Sequence, residues 1–368
     1  MAVLLFPRTG RALRLAAAGF VAAFVLVGCA AGVDDDGPNA SDASSPPSVS
    51  TGVVRLVTHD SFAVSDGIFE QFTAQTGYTV EVIPAGDAGQ MVNQLILTKD
   101  NPIGDAVFGI DNTFASRALA EGILESLSES VLAPGAEPFA VEGGGDLAPV
   151  DYSDVCVNID HEWFAERDLV EPVTLQDLAR PEYKDLLVVE NPATSSPGLS
   201  FLLATIGAFG EDGWRDYWAD LVAGGVRAVD GWSDAYYVDF SGPSSEGDRP
   251  LVVSYASSPP AEVPQGAVEA PTAALLDTCF RQVEYAGVLA GSANQPAATA
   301  LVEFLGTVPF QEDMPGSMWV YPVNPDAAIP EDWEAYAPLA AHPWQVSAEA
   351  IAANRERWIE EWAATVVG

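Results

Sequence analysis

Three segments of this chain carry side chains able to hold a small ligand. The first, Asn191-Pro192-Ala193-Thr194-Ser195-Ser196-Pro197-Gly198, places three consecutive hydroxyls between an apolar run and a helical pattern. Hydroxyls and the unpaired N–H groups of a first helical turn make a natural anion pocket, although the same spacing also serves as an ordinary Ser N-cap. The second, Asp230-Gly231-Trp232-Ser233-Asp234-Ala235-Tyr236, sets an indole in a Gly-flanked loop beside a carboxylate. That pairing offers a flat cation a π face and a counter-charge, the alternative being a core Trp. The third, Gly316-Ser317-Met318-Trp319-Val320-Tyr321-Pro322-Val323, is another aromatic loop. The three histidines, His59, His161 and His342, are widely separated, and there is no HExxH, GxSxG elbow, Walker loop or GxGxxG. With no nucleophile paired to a base and no cofactor motif, the residues point to binding rather than catalysis.

The elements that must position these segments read as α/β. Val53–Thr58, Thr79–Ile83 and Ala106–Ile110 are apolar strand patterns, and the loop His59–Val64 follows the first. Between them run short helices marked by Ile68, Phe69 and Phe72, stopping at Gly77, and by Met91, Val92, Leu95 and Ile96. A third helix, Phe114–Glu121, closes at Gly122. Strands alternating with helices imply a parallel sheet with right-handed crossovers, whose ligands lie at the carboxyl ends of the strands. Those ends carry His59-Asp60-Ser61, Asp87 and Asp111-Asn112. After Gly143-Gly144-Gly145, Val155–Ile159 reads as a strand crossing into a second lobe. That lobe holds strands at Leu186–Glu190, Val226–Val229 and Leu251–Tyr255, with helices from about Gly198 and around Trp214–Leu221. The chain returns near Phe280–Leu289, continues as a helix at Pro296–Leu305, and ends in an amphipathic helix after Ser347 with Ile351, Trp358 and Trp362 on one face. This gives residues 53–150 plus 284–340 as lobe 1, 151–283 as lobe 2, and 341–368 as a C-terminal helix packed on the lobes.

The first residues are a targeting segment rather than fold. Arg8, Arg11 and Arg14 precede a thirteen-residue apolar stretch, Leu15–Val27, which suits a signal peptide and is short for a membrane span. Leu26-Val27-Gly28-Cys29 has the form of a bacterial lipobox, so residues 1–28 read as a signal peptide and Cys29 as the lipidated N-terminus. Several acyl chains on one cysteine hold a protein stably to a membrane, at about 0.8 kcal/mol per buried CH₂. Residues 29–52, rich in Asp, Ser, Pro and Gly, read as a flexible tether. The formal net charge is −38 with only two lysines, Lys99 and Lys184, which disfavours nucleic acid and anionic membrane surfaces as partners and favours a cation. Cys156 and Cys279, an even pair in an exported chain, read as a disulfide, with two buried free thiols as the alternative.

Taken in order, these segments resemble the thiamine-binding proteins of bacterial ABC importers. The likeness runs through Thr58-His59-Asp60-Ser61-Phe62, Val107-Phe108-Gly109-Ile110-Asp111-Asn112, Thr194-Ser195-Ser196-Pro197-Gly198 and Gly231-Trp232-Ser233-Asp234-Ala235-Tyr236. It continues through Leu251-Val252-Val253-Ser254-Tyr255 and Trp319-Val320-Tyr321-Pro322-Val323 to Arg357-Trp358-Ile359-Glu360-Glu361-Trp362. The resemblance implies an α/β, two-lobed periplasmic-binding-protein fold of type II, with a ligand cleft between lobes joined by crossing strands. It places Asp87 as the ligand-binding carboxylate, and Trp232, Tyr255 and Trp319 as aromatic walls. Ser195, with Thr194 and Ser196, takes the hydroxyl loop near the hydroxyethyl or phosphate end, and Tyr236 lies within the Trp232 motif. His59 and Ala261 stand where other members carry tyrosine, and the two cysteines fall where they have none. The implied role is a monomeric lipoprotein on the extracytoplasmic face that delivers thiamine or thiamine phosphates to an ABC transporter permease. The alternatives are a ferric-iron or polyamine receptor of the same fold, for which Tyr236-Tyr237 is the lure, and a secreted hydrolase.

Overall fold

A computed structural model of the chain describes residues 52–368 apart from 142, 143, 268 and 332. The expected signal peptide, Cys29 and all of the tether but Gly52 lie outside the described residues. No described helix is long and apolar enough to cross a membrane.

The first elements follow the sequence pattern. Strands β1 (Gly52–Thr58), β2 (Tyr78–Pro84) and β3 (Ala106–Asp111) alternate with helices α1 (Ile68–Thr76), α2 (Ala88–Leu97) and α3 (Ala115–Glu121). Gly77 ends α1 in the left-handed region at φ 79°, a conformation only glycine adopts without strain. β1 pairs in parallel with both β2 and β3. Met91, Val92 and Leu95 bury the apolar stripe of α2.

Two long strands cross the middle of the molecule: β4 (Ala148–Asp160) and, much later, β8 (Thr272–Val288). Between them lie α4 (His161–Glu166), α5 (Leu175–Leu178), β5 (Leu187–Glu190), α6 (Ser196–Ala223), β6 (Arg227–Val229), α7 (Trp232–Asp234), β7 (Leu251–Tyr255) and α8 (Pro259–Glu262). Then follow α9 (Gln295–Leu305), α10 (Val308–Gln311), α11 (Met314–Ser317), β9 (Tyr321–Pro322), α12 (Trp333–Tyr336) and α13 (Ala348–Val366). One sheet runs in the order β2-β1-β3-β8-β4-β7-β5-β6, with β9 on β4. It is mixed, not parallel throughout. β5 pairs in parallel with β6 and β7, but β8 runs antiparallel to β3 and β4, and β4 antiparallel to β7. The chain passes between the two halves through β4 and β8, so those strands reverse direction beside their neighbours.

Both crossing strands extend well beyond their apolar runs. Several polar groups along them are held by tertiary contacts: Arg281 pairs with Asp154, whose Oδ2 also accepts Ala340 N at 2.8 Å. Ser153 and Ser257 share a hydrogen bond at 2.6 Å. The β4–β8 register jumps between Val155↔Phe280 and Val157↔Leu275, so Cys156 alone faces Leu276–Cys279. Cys156 and Cys279 form a disulfide across that bulge, within the crossing strands themselves.

The two helices expected from Gly198 onward form one element, α6, broken at Gly210, whose φ of 70° lies in the region that favours glycine. α13 begins at its Ser347 N-cap and buries Ile351, Trp358 and Trp362, with Trp362 meeting Trp218 of α6 edge to face at 5.5 Å. One core lies among α6, α13, β5 and β7 and continues to α2 and α3. A second, with Val54, Phe72, Leu301 and Phe304, packs α1 and α9 on the other face of β1 and β3.

Candidate functional site

The carboxyl ends of the strands converge on one cavity, with about 860 Å³ of open space including its mouth. His59 and Ser61 reach it from the loop after β1, Asp87 from the start of α2, and Glu284 from the middle of β8. Opposite them lie Ser196, Trp232, Tyr236, Tyr237, Tyr255 and Ala261, while Met318 and Trp319 close one side. This is a site of the usual kind for a small ligand: aromatic, largely apolar, with a few placed polar groups.

Asp87 sits at the centre of the polar network. Its side chain caps α2, accepting from Ala88 N at 2.6 Å, and reaches across the cleft to Ser196 N at 3.3 Å and Trp232 N at 2.9 Å. Burial nevertheless dominates these hydrogen bonds and pushes the Asp87 carboxyl up to about 6. Asp111, at the end of β3, makes a second bridge. It accepts from Thr113 and Phe114 on its own side and from the Ser196 hydroxyl on the other. Gln282 Nε2 donates to the same hydroxyl at 3.1 Å.

The aromatic groups are held as firmly. Trp232 stacks on Tyr236 (ring centroids 5.0 Å apart), stands edge-on to Tyr237 and Tyr255, and donates its indole N–H to Ser254 at 3.0 Å. Residues 235–239 are wound as a π-turn, a form often found at functional positions. Trp319 occupies the left-handed region at φ 58°, rare for a bulky residue and characteristic of functional loops. Its ring lies parallel to Trp333 at 6.5 Å, and the pairing of β9 with β4 fixes its loop. The His59 ring is buried against Phe108, which pushes its imidazole down to about 4 and keeps it neutral.

Comparison with known proteins gives the site its context. Residues 101–349 match the family described as bacterial extracellular solute-binding protein. The chain belongs to that family. This solute-binding protein is 28% identical to the thiamine-binding periplasmic protein of Salmonella typhimurium over 326 residues, 86% of this chain and 94% of the relative. Its fold superimposes on a periplasmic thiamin binding protein with a TM-score of 0.74 at 26% identity, covering 85% of this chain and 96% of that one. A ferric binding protein from Campylobacter jejuni shares the fold alone, with a TM-score of 0.64 at 14% identity over 85% and 99% of the two chains. The type II periplasmic-binding-protein fold expected from the sequence is therefore the fold of this solute-binding protein, and its relatives are periplasmic.

Of the nine residues expected at the site, seven line the cavity: His59, Asp87, Ser196, Trp232, Tyr236, Tyr255 and Trp319. Thr194 and Ser195 do not, because other groups of the protein engage their hydroxyls, that of Ser195 bonding the Asp87 carboxyl. Ser195 is fully buried as the α6 N-cap, and Thr194 Oγ1 donates to Asp230 O at 2.6 Å. The expected anion pocket is also filled from within, since the Asp87 carboxylate sits on the N–H groups of Ser196 and Trp232. Sequence reasoning passed over Tyr237, Met318 and Glu284. The available signal for Glu284 was a lone acid inside the apolar run Val283–Val288, a position where an unpaired carboxylate is costly.

Proposed function

We propose that this chain captures thiamine in the cleft between its lobes and delivers it to the permease of an ABC importer. The observation that carries the reading is the lining: Trp232, Tyr237, Tyr255 and Trp319 offer π faces, Asp87 and Glu284 offer carboxyls, and the lining contains neither lysine nor arginine. Thiamine joins a permanently charged thiazolium to an aminopyrimidine, and aromatic faces with a nearby carboxylate suit both rings. The resemblance to thiamine-binding periplasmic proteins over most of the chain supports the same ligand. Unphosphorylated thiamine is favoured over its phosphates, because Asp87 already occupies the backbone N–H groups a phosphate would use. The lobes are residues 53–150 plus 284–340 and 151–283, with 341–368 packed across them. The protein acts without catalysis as a monomer, anchored by lipid on Cys29 to the extracytoplasmic face.

A thermal-shift screen tests the reading. Thiamine at about 100 times its dissociation constant adds about 2.7 kcal/mol of stability. A null result with thiamine and its phosphates, together with a clear shift from ferric iron or spermidine, would transfer the site to the receptor of a metal or polyamine.

A further inference from the structure

Three acids stand in a row across the middle of the sheet. Glu284 of β8 is in register with Asp111 of β3 on one side and with Asp151 of β4 on the other. In-register residues of neighbouring strands project to the same face, where like charges directly opposite repel. Asp111 is satisfied by Thr113, Phe114 and Ser196. Asp151 is 1% exposed and, among the described residues, meets no hydrogen-bond donor apart from the carboxyl of Glu284. Glu284 is 6% exposed, opens on the cavity, and has His59 Nε2 3.5 Å from its Oε1. That nitrogen is buried and has no hydrogen-bond partner among the described residues.

We propose that Glu284, backed by Asp151, is the specificity-determining contact for the ligand's aminopyrimidine ring, with His59 beside it. The proposal rests on the thiamine reading and adds which end of the ligand meets which wall. Burial raises the Glu284 and Asp151 carboxyls; Asp151 raises Glu284 further, while the hydrogen bond from Glu284 partly lowers Asp151, so the pair retains a proton near neutral pH. Asp111 and Asp87 add to the same effect, and the buried, neutral His59 supplies no compensating charge. A carboxylic acid presents an O–H donor beside a carbonyl acceptor. An aminopyrimidine presents an N–H donor beside a ring-nitrogen acceptor, so the two faces match in a two-point hydrogen bond. The thiazolium then lies toward Asp87 and the Trp232 wall.

Calorimetry on the full-length protein tests this with three probes: thiamine, its analogue with the pyrimidine amino group replaced by a hydroxyl, and the thiazolium half alone. Wild type binds thiamine about tenfold or more tighter than the hydroxyl analogue, the cost of one mismatched polar contact. Glu284→Ala loses that discrimination and about tenfold in thiamine affinity, yet binds the thiazolium half as wild type does. Glu284→Gln, whose amide keeps a donor beside an acceptor, stays within about threefold of wild type for thiamine. Equal weakening of thiamine and the thiazolium half in Glu284→Ala, or unchanged discrimination, would overturn the proposal. If Glu284→Ala does not fold, Glu284→Gln decides alone: thiamine affinity near wild type supports the proposal, and a tenfold loss overturns it. Wild type that binds no thiamine would instead remove the reading beneath it.

Discussion

The side chain of Asp87, which caps α2 in the first half of the sheet, accepts a hydrogen bond from the backbone N–H of Trp232, at the start of α7 in the second half, at 2.9 Å. One carboxylate thus caps a helix, spans the cleft and presents charge to the cavity. Asp87→Ala and Trp232→Ala are each expected to weaken thiamine binding about tenfold or more, about 1.4 kcal/mol, measured by calorimetry. The two changes differ in their effect on anions. Asp87→Ala frees Ser196 N and Trp232 N, so thiamine monophosphate gains relative to thiamine in that variant only.

Affinity should depend on pH through the same group. Burial raises the Asp87 carboxyl from 3.8 to about 6, so its favourable linkage to folding is present below 3.8 and lost as pH rises through 6. A bound cation favours the ionised form and lowers the carboxyl again. Thiamine binding therefore releases protons around pH 6 and weakens below it, by up to about tenfold per pH unit. Titrations from pH 5 to 7 in buffers of different ionisation enthalpy measure both effects, and a flat profile would contradict them.

Gly89 lies where the two sides of the cavity meet. In the first turn of α2, a Cβ at this position would lie 2.7 Å from the backbone C and O of Thr194, which the adjacent Gln90 N–H bonds at 3.1 Å. Backbone atoms cannot move aside as a flexible side chain can. Gly89→Ala should fold with its lobes apart and bind thiamine about tenfold or more weakly. Scattering would then show no compaction on adding ligand, whereas wild type contracts as hinged binding proteins do.

The disulfide joins cysteines 123 residues apart in sequence and lies away from the cavity lining. Closing a loop of that length restricts the unfolded chain, so Cys156→Ser with Cys279→Ser should cost about 2–5 kcal/mol in urea unfolding. Thiamine affinity should stay within about threefold of wild type. A large loss of affinity at full folding would show that the bulge facing Cys156 controls closure as well as stability.

Much of this protein was legible in one dimension. Apolar runs and glycine stops placed β1, β2, β3, α1, α3 and α13 within a residue or two, because local periodicity and capping decide such elements. An even pair of cysteines, once the first residues are read as an export signal, points to the bond that forms. Ordered motifs brought Asp87, Trp232, Tyr255 and Trp319 to one cavity. The sequence understated the lengths of β4 and β8, because polar residues such as Ser153 and Asp154 are buried only where another strand or loop meets them. Nor could it show that Asp87 fills the helix N-termini opposite, that Thr194 spends its hydroxyl on the backbone, or that Ser195 turns its own to Asp87. Least visible was the row of Asp111, Glu284 and Asp151. Those residues lie far apart along the chain, and only the register of three strands sets them side by side, where burial and mutual repulsion change what a carboxyl can do.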